Sequence, residues 1–168
     1  EAAREAWRRS LERRPNALAT RNLAVLTGED GDLEAAADLY LKADGLTPGW
    51  PPLAVECVRA LLGANRHREV LRYLVSLPDR IRNQGRLPLL KAQAHLALGE
   101  LSAVEAFLRS SQEVPDVREG EISLAEMWFR MQEQRIAAAE GVAVDDALRE
   151  RVKRQYPPPA HLDFRMKT

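Results

Sequence analysis

The sequence predicts an all-α fold, an α-solenoid of degenerate helix-turn-helix repeats, and three observations lead to this prediction. The 168 residues include 25 Ala and 24 Leu but only 18 Val, Ile and Thr together, which favours helices over a large sheet. Apolar residues recur at the i, i+3, i+4, i+7 spacing of one-sided helices. The helical stretches also return at a fixed interval, which is typical of stacked repeats.

Three similar blocks mark the repeat, and their first residues are 34 positions apart. The blocks are Gly31–Ala36, Asn65–Val70 and Gly99–Val104. A Gly or Asn at the start of each block supplies the left-handed backbone position that ends a first helix. The small or β-branched residue that ends each block lets the two helices of a pair approach closely. We therefore expect second helices at about 32–44, 67–77, 101–112 and 144–155.

The repeat divides the chain into one helical domain, 1–156, and a proline-rich tail, 157–168. The predicted parts are a half unit at 1–16, units at about 17–50, 51–84 and 85–118, and a capping unit at 119–156. Because the chain starts without Met and with a helical pattern, we expect a fragment of a longer protein. We expect a non-helical, extended tail whose Leu162 and Phe164 cover apolar surface near Trp128 and Val152.

The apolar stripes also predict which side chains form the core. The predicted core residues are Leu23, Ala36, Tyr40, Val58, Leu61, Val70, Leu74, Ala92, Val104 and Leu108. Helical spacing adds the aromatic residues Trp7, Trp128 and Phe129 to this core. Trp50 lies in a Pro-rich loop, where a wedge between units is favoured over an exposed contact residue.

Charge and hydropathy exclude several classes of partner. The 25 basic and 25 acidic residues balance, so no global field favours nucleic acid or a membrane surface. No apolar run approaches the roughly 20 residues of a membrane span, and no signal peptide is visible, so we expect a cytoplasmic protein. Basic residues concentrate in 66–91 and acidic residues in 100–126, which is either a solvated surface or a bipolar one that orients a partner.

The residues that usually carry chemistry do not form a recognisable site, so we predict no catalytic, cofactor-binding or metal-binding residues. Cys57 is a single cysteine on an apolar stretch, with no nearby His in sequence to activate it. The histidines, His67, His95 and His161, have none of the spacings that a helical metal site requires. Asp145 and Asp146 precede a helix, where an N-cap is the simplest role.

The 34-residue period, with Leu33–Ala43 followed by Pro48, resembles the second helix of the tetratricopeptide repeat (TPR). The resemblance covers about residues 1–155 and implies a right-handed superhelix whose first helices line a groove for a protein or peptide segment. The sequence departs from the family at Thr20, Ala54 and Pro88, where a large aromatic residue is usual. The implied groove residues are Leu18, Arg21, Val25, Val55, Arg59, Leu62, Arg86, Leu89, Gln93, Leu96, Ser123, Met127 and Arg130.

Some TPR proteins bind the terminal carboxylate of a peptide with basic and Asn residues of this groove. Arg21, Asn22 and Arg86 partly fit such a clamp. Val25, Glu56 and Leu90 lie where its polar groups belong, so we expect no clamp here. A groove that mixes arginine with aliphatic residues suits an extended or helical segment instead.

The order of several segments resembles the C-terminal end of large bacterial proteins that join a β-rich, carbohydrate-enzyme-like region to a TPR tail. These segments are Arg21–Ala24, Leu77–Asn83, Gly85 and Arg86 before a helix at 87–99, and Pro158–Arg165. Two functions are therefore open. The first is a non-catalytic interaction or structural module, which binds a partner segment or the upstream part of its own polypeptide. The alternative is a C-terminal support domain for an enzyme that processes or binds carbohydrate.

Overall fold

The computed structural model describes residues 2–110 and 123–162, and within these ranges the chain is all-α, with no strand. The helices are α1 Ala2–Arg13, α2 Ala17–Glu29, α3 Leu33–Leu46, α4 Pro51–Gly63, α5 His67–Ser76, α6 Asp79–Arg82, α7 Leu87–Ala97, α8 Leu101–Arg109, α9 Leu124–Glu140 and α10 Asp146–Gln155. A short 3-10 helix, η1, follows at Ala160–Leu162. The chain forms two compact units, Glu1–Leu90 (unit 1) and Lys91–Thr168 (unit 2).

The predicted second helices are confirmed within a few residues as α3, α5, α8 and α10. The part of the third predicted helix beyond residue 110, and the start of the predicted capping unit at 119–156, lie outside the described residues. Side chains cap the helices where the sequence offers short polar residues. Asn16, Asp32, Ser123 and Asp145 each accept a hydrogen bond from the backbone N–H three residues later, and Asp145 thus has the predicted N-cap role.

The three turns that start the sequence blocks share one backbone geometry. Gly31, Asn65 and Gly99 all have positive φ, at 90°, 56° and 72°. In each turn this residue donates to the carbonyl three positions earlier, and the next residue donates to the carbonyl five positions earlier. That pair of bonds defines a Schellman motif, which satisfies the last carbonyls of a helix. The 34-residue period of the sequence is therefore also a period of the backbone.

Unit 1 is held together by antiparallel neighbours, with α3 packed against both α2 and α4. A Cβ placed on Gly28 would lie 3.6 Å from the Cβ of Ala36, so α2 and α3 approach closely there. Ala36 and Val70 are buried at the repeat positions where small or β-branched residues were expected. Nine of the ten predicted core residues are buried. Tyr40 differs, since it is only partly buried and packs against the edge of a cluster that contains Cys57.

In unit 2, α9 packs against both α8 and α10. The tail is docked as far as it is described, because Pro158 is buried and Leu162 is 2% exposed. The indole N–H of Trp128 donates to the Tyr156 carbonyl at 3.0 Å. The expectation of a non-helical tail is wrong at Ala160–Leu162, where one 3-10 turn forms and brings Leu162 into the core. Phe164 lies outside the described residues.

The aromatic residues are less buried than their spacing predicted. Trp7, Trp128 and Phe129 are half-buried rather than core residues. Trp50 is 45% exposed, which contradicts the wedge between units and favours the alternative of an exposed residue. For the three helical aromatic residues, periodicity predicts which side of the helix they occupy. It does not predict how much of each side chain the neighbouring helices bury.

Candidate partner-binding surfaces

The first candidate surface lies on unit 1, where α2 and α4 contribute Arg21, Val25, Val55, Arg59 and Leu62, all half-buried. We call these five residues the first-helix surface. The start of α2 is fixed by Asn16, whose side chain accepts from the Ala19 N–H at 2.7 Å and whose carbonyl accepts from the Thr20 hydroxyl at 2.9 Å. Three aliphatic side chains and two arginines on neighbouring helices suit a partner segment with an apolar face.

An ion pair between Arg21 and Glu56 connects α2 to α4 across this surface. The Arg21 Nε donates to Glu56 Oε2 at 2.8 Å, and Nη2 donates to the other carboxylate oxygen. The hydrogen bond to Glu56 raises the pKa of Arg21, so the guanidinium is charged at every physiological pH. Both oxygens of the carboxylate are occupied, and Arg21 is thereby neutralised locally. This pairing is consistent with the expectation that the surface does not clamp a peptide carboxylate.

The other predicted groove residues are divided between surface and core. Leu89, at 1% exposure, Leu96, at 4%, and Met127, at 0%, are core residues, so their expected placement in a groove is wrong. The TPR resemblance placed them on a groove open to solvent, whereas neighbouring parts of the protein cover them. The remaining positions are half-buried Arg86 and Gln93 and exposed Leu18, Ser123 and Arg130.

The second candidate surface is a cleft of about 770 Å³ within unit 2, between α9 and α10. We call it the α9–α10 cleft. One face of α9 supplies Glu126, Phe129, Arg130, Glu133 and Gln134, which follow the i, i+3, i+4, i+7, i+8 spacing. The other lining residues are Ser123, Ala125, Val144, Arg149 and Lys153. Sequence reasoning identified Ser123 and Arg130 but missed the rest, since a mixed charged and aromatic stripe also fits an ordinary solvated face.

Cys57, Tyr73 and Asp44 lie near one another in unit 1. Burial raises the pKa of the Cys57 thiol to about 12, so the thiolate is scarce at neutral pH. The thiol donates to the Tyr40 carbonyl at 3.3 Å. The Tyr73 hydroxyl is near enough to Cys57 and Asp44 to influence their pKa values, but it does not meet hydrogen-bond geometry with any described residue. Cys57 is a core residue, as predicted.

Ion pairs neutralise part of the charge of these two segments where the structure describes them. In 66–91, Arg66 pairs with Glu34, Asp38 and Glu69, and Arg82 pairs with Asp79. In 100–126, Glu100 pairs with His95, Glu105 with Arg109 and Arg135, and Glu126 with Arg130. Most of the predicted acidic excess lies in 111–122, outside the described residues. A bipolar surface therefore stays a prediction.

The described residues contain neither a candidate metal cluster nor a helix that could span a membrane. Within 2–110 and 123–162, no three His, Cys, Asp or Glu side chains gather in a way that would hold a metal ion. In the same residues, no helix has the length and apolar character needed to cross a bilayer.

Comparison with known proteins identifies no relative. No family model, no curated protein and no solved structure gives a significant match to the chain. The class defined by the fold is therefore an all-α protein with helical pairs at a regular interval, and its membership of the TPR family stays a prediction.

Proposed function

We propose that the chain is a non-catalytic TPR-like module, a right-handed α-solenoid that binds a protein segment on its first-helix surface. The observation that carries this proposal is the series of three Schellman turns at Gly31, Asn65 and Gly99. A backbone motif that returns every 34 residues is expected of repeats that each supply one helical pair and rely on neighbours for burial.

Contacts between consecutive pairs support the same proposal. Arg21 and Glu56 join two first helices and are 35 residues apart. Arg66 joins the start of one second helix to Asp38 on the preceding second helix, 28 residues away, at 2.6 Å. Like helices are thus linked to like helices, which is the neighbour relation of a stacked repeat.

The chemistry of the first-helix surface indicates the kind of segment that it would bind. Val25, Val55 and Leu62 are aliphatic, and the charge of Arg21 is balanced by Glu56. A segment with a continuous apolar face therefore suits this surface better than a strongly acidic or basic one. Amphipathic helices present such a face through anchors at i, i+3, i+4 and i+7.

The test is a selection of amphipathic peptides from a display library against the 168-residue protein. Selected peptides should lose about tenfold or more in affinity for the Val55→Asp variant, because a carboxylate would replace an apolar contact. Val75→Asp is the matched control, since Val75 is 71% exposed on α5, outside the surface. Peptides that bind both variants equally, or a selection that yields no binder, would contradict the proposal.

A further inference from the structure

The α9–α10 cleft has an uneven charge balance. Each of its three cationic side chains already holds a carboxylate: Arg130 pairs with Glu126 at 2.6 Å, Arg149 with Asp146 at 2.7 Å, and Lys153 with Glu150 at 2.8 Å. These three pairs are neutral as a group. The negative charge that is left over among the lining residues belongs to Glu133.

Glu133 lines the cleft although it is only 9% exposed. Among the residues that the structure describes, none donates a hydrogen bond to its carboxylate, and no Lys, Arg or His nitrogen lies within ion-pair distance of it. The carboxylate oxygens are not fully buried, so they face the open space of the cleft that Glu133 lines. A cation that enters the cleft would supply the counter-charge that the described residues do not supply.

The negative charge of Glu133 acts on Lys153, another residue that lines the cleft. The pKa of Lys153 is raised mainly by its hydrogen bond to Glu150, and the negative charge of Glu133 adds to the increase. Lys153 therefore competes with a ligand cation for the charge of Glu133, but its ammonium group is already engaged by Glu150. A ligand cation has a place beside Glu133 that Lys153 does not fill.

Apolar groups next to Glu133 indicate what should carry the cation. Phe129 lies one helical turn before Glu133 on the same face of α9, and Val144 lines the opposite side of the cleft. An aliphatic stem would cover these side chains, and a cation near an aromatic ring gains further attraction. The cleft volume of about 770 Å³ exceeds that of one lysine side chain, so it also admits the backbone that carries such a side chain.

We propose that the α9–α10 cleft binds an alkyl ammonium or guanidinium group, with the cation on Glu133 and the aliphatic stem against Phe129. The group is either a lysine or arginine side chain of a protein segment or a free aliphatic amine. This site is separate from the first-helix surface and does not depend on the function proposed for it. Ionic strength should weaken the binding, although less than at an exposed pair, because Glu133 is buried.

The experiment is a calorimetric titration of the 168-residue protein with two probes, n-butylamine and the capped tripeptide acetyl-Gly-Lys-Gly-amide. The same tripeptide with norleucine in place of lysine serves as the uncharged control. Tighter binding of the lysine peptide would identify a protein segment as the source of the cation, and tighter binding of butylamine would identify a free amine. Failure of both cationic probes to bind, or equal binding of the norleucine peptide, would overturn the proposal.

Two variants test the role of Glu133 itself. Glu133→Gln keeps the size of the side chain and should weaken the binding of the better probe by about tenfold or more. Glu140→Gln is the matched control on the same helix, since Glu140 is exposed and pairs with Arg151 outside the cleft. Lys153→Met removes the competing ammonium from an exposed position, so it should tighten binding by about twofold or more. Unchanged affinity in both Glu133→Gln and Lys153→Met would also overturn the proposal.

Discussion

Units 1 and 2 use the same helical-pair design but bury very different amounts of apolar surface. In unit 1, α4 buries five apolar residues in thirteen positions: Leu53, Ala54, Cys57, Val58 and Leu61. In unit 2, α10 buries only Leu148 and Val152 in ten positions, and most of its other side chains are charged. Apolar residues of α3 and α4 pack into one cluster that includes Ala43, Leu53 and Cys57, whereas charged side chains line the open α9–α10 cleft. The cleft is therefore a consequence of composition, and unit 2 has less packing energy with which to hold it.

Matched leucine truncations should show the largest difference between the units. Leu61 is completely buried and Leu148 is 5% exposed beside a cleft that can relax around a smaller side chain. We expect Leu61→Ala to lower the free energy of unfolding by about 4 kcal/mol and Leu148→Ala by about 2 kcal/mol. Urea unfolding, with amide exchange to assign the loss to each unit, measures both. A larger loss in Leu148→Ala would break the comparison.

The docked tail should supply part of the apolar burial that α10 lacks. Because Leu162 is 2% exposed, Leu162→Ala should cost about 2–3 kcal/mol. His161 adds a contact of 2.9 Å between its Nε2 and the Leu108 carbonyl. The control is Val142→Ala, since Val142 is 47% exposed and its truncation should change little. Thermal melts of both variants check the prediction, and equal melting temperatures would show that the tail contributes nothing to unit 2.

Asp44 is a buried ionisable residue within the apolar packing of unit 1, and its effect on stability depends on pH. Burial raises the pKa of Asp44 above its usual value, so the folded state binds the proton more tightly than the unfolded state does. Stability is then highest at low pH and is lost as the pH rises from the unfolded pKa through the folded pKa. Asp44→Asn should stabilise unit 1 by about 1 kcal/mol at pH 7, and the gain should vanish below about pH 4.

The measurement is the free energy of unfolding of the wild type and of Asp44→Asn between about pH 4 and pH 7. Asp38→Asn is the control. It should not raise the free energy of unfolding, because Asp38 is exposed and pairs with Arg66. A gain in Asp44→Asn that is independent of pH would show that burial of the charge is not its cause.

The sequence predicted the helices well because their signals are local. Gly31, Asn65 and Gly99 end the first helices in a positive-φ backbone conformation. Gly and Asn favour this conformation whatever surrounds them, so the residue type alone predicts it. The burial of Val58, Val70 and Val104 followed from the 3.6-residue period. Both kinds of signal are read within one or two helical turns.

The surfaces were predicted less well because they depend on what lies opposite. Leu89 and Met127 carried no local sign that their side of the helix would be covered. Glu133 reads as a surface residue in the sequence, and its 9% exposure depends on the elements that pack around α9. The 3-10 turn at Ala160–Leu162 likewise depends on tertiary docking that overrides the extended preference of three prolines.

The central claim is that consecutive helical pairs in unit 1 stack with first helix beside first helix, and the Arg21–Glu56 pair tests it most directly. The two side chains are 32% and 29% exposed and are joined through both carboxylate oxygens. Arg21→Glu and Glu56→Arg should each lower the free energy of unfolding by about 1 kcal/mol, because each places like charges together. The double variant should recover most of that loss, since the pair is restored with its charges exchanged. Losses that simply add in the double variant would contradict the claim that α2 and α4 are neighbours.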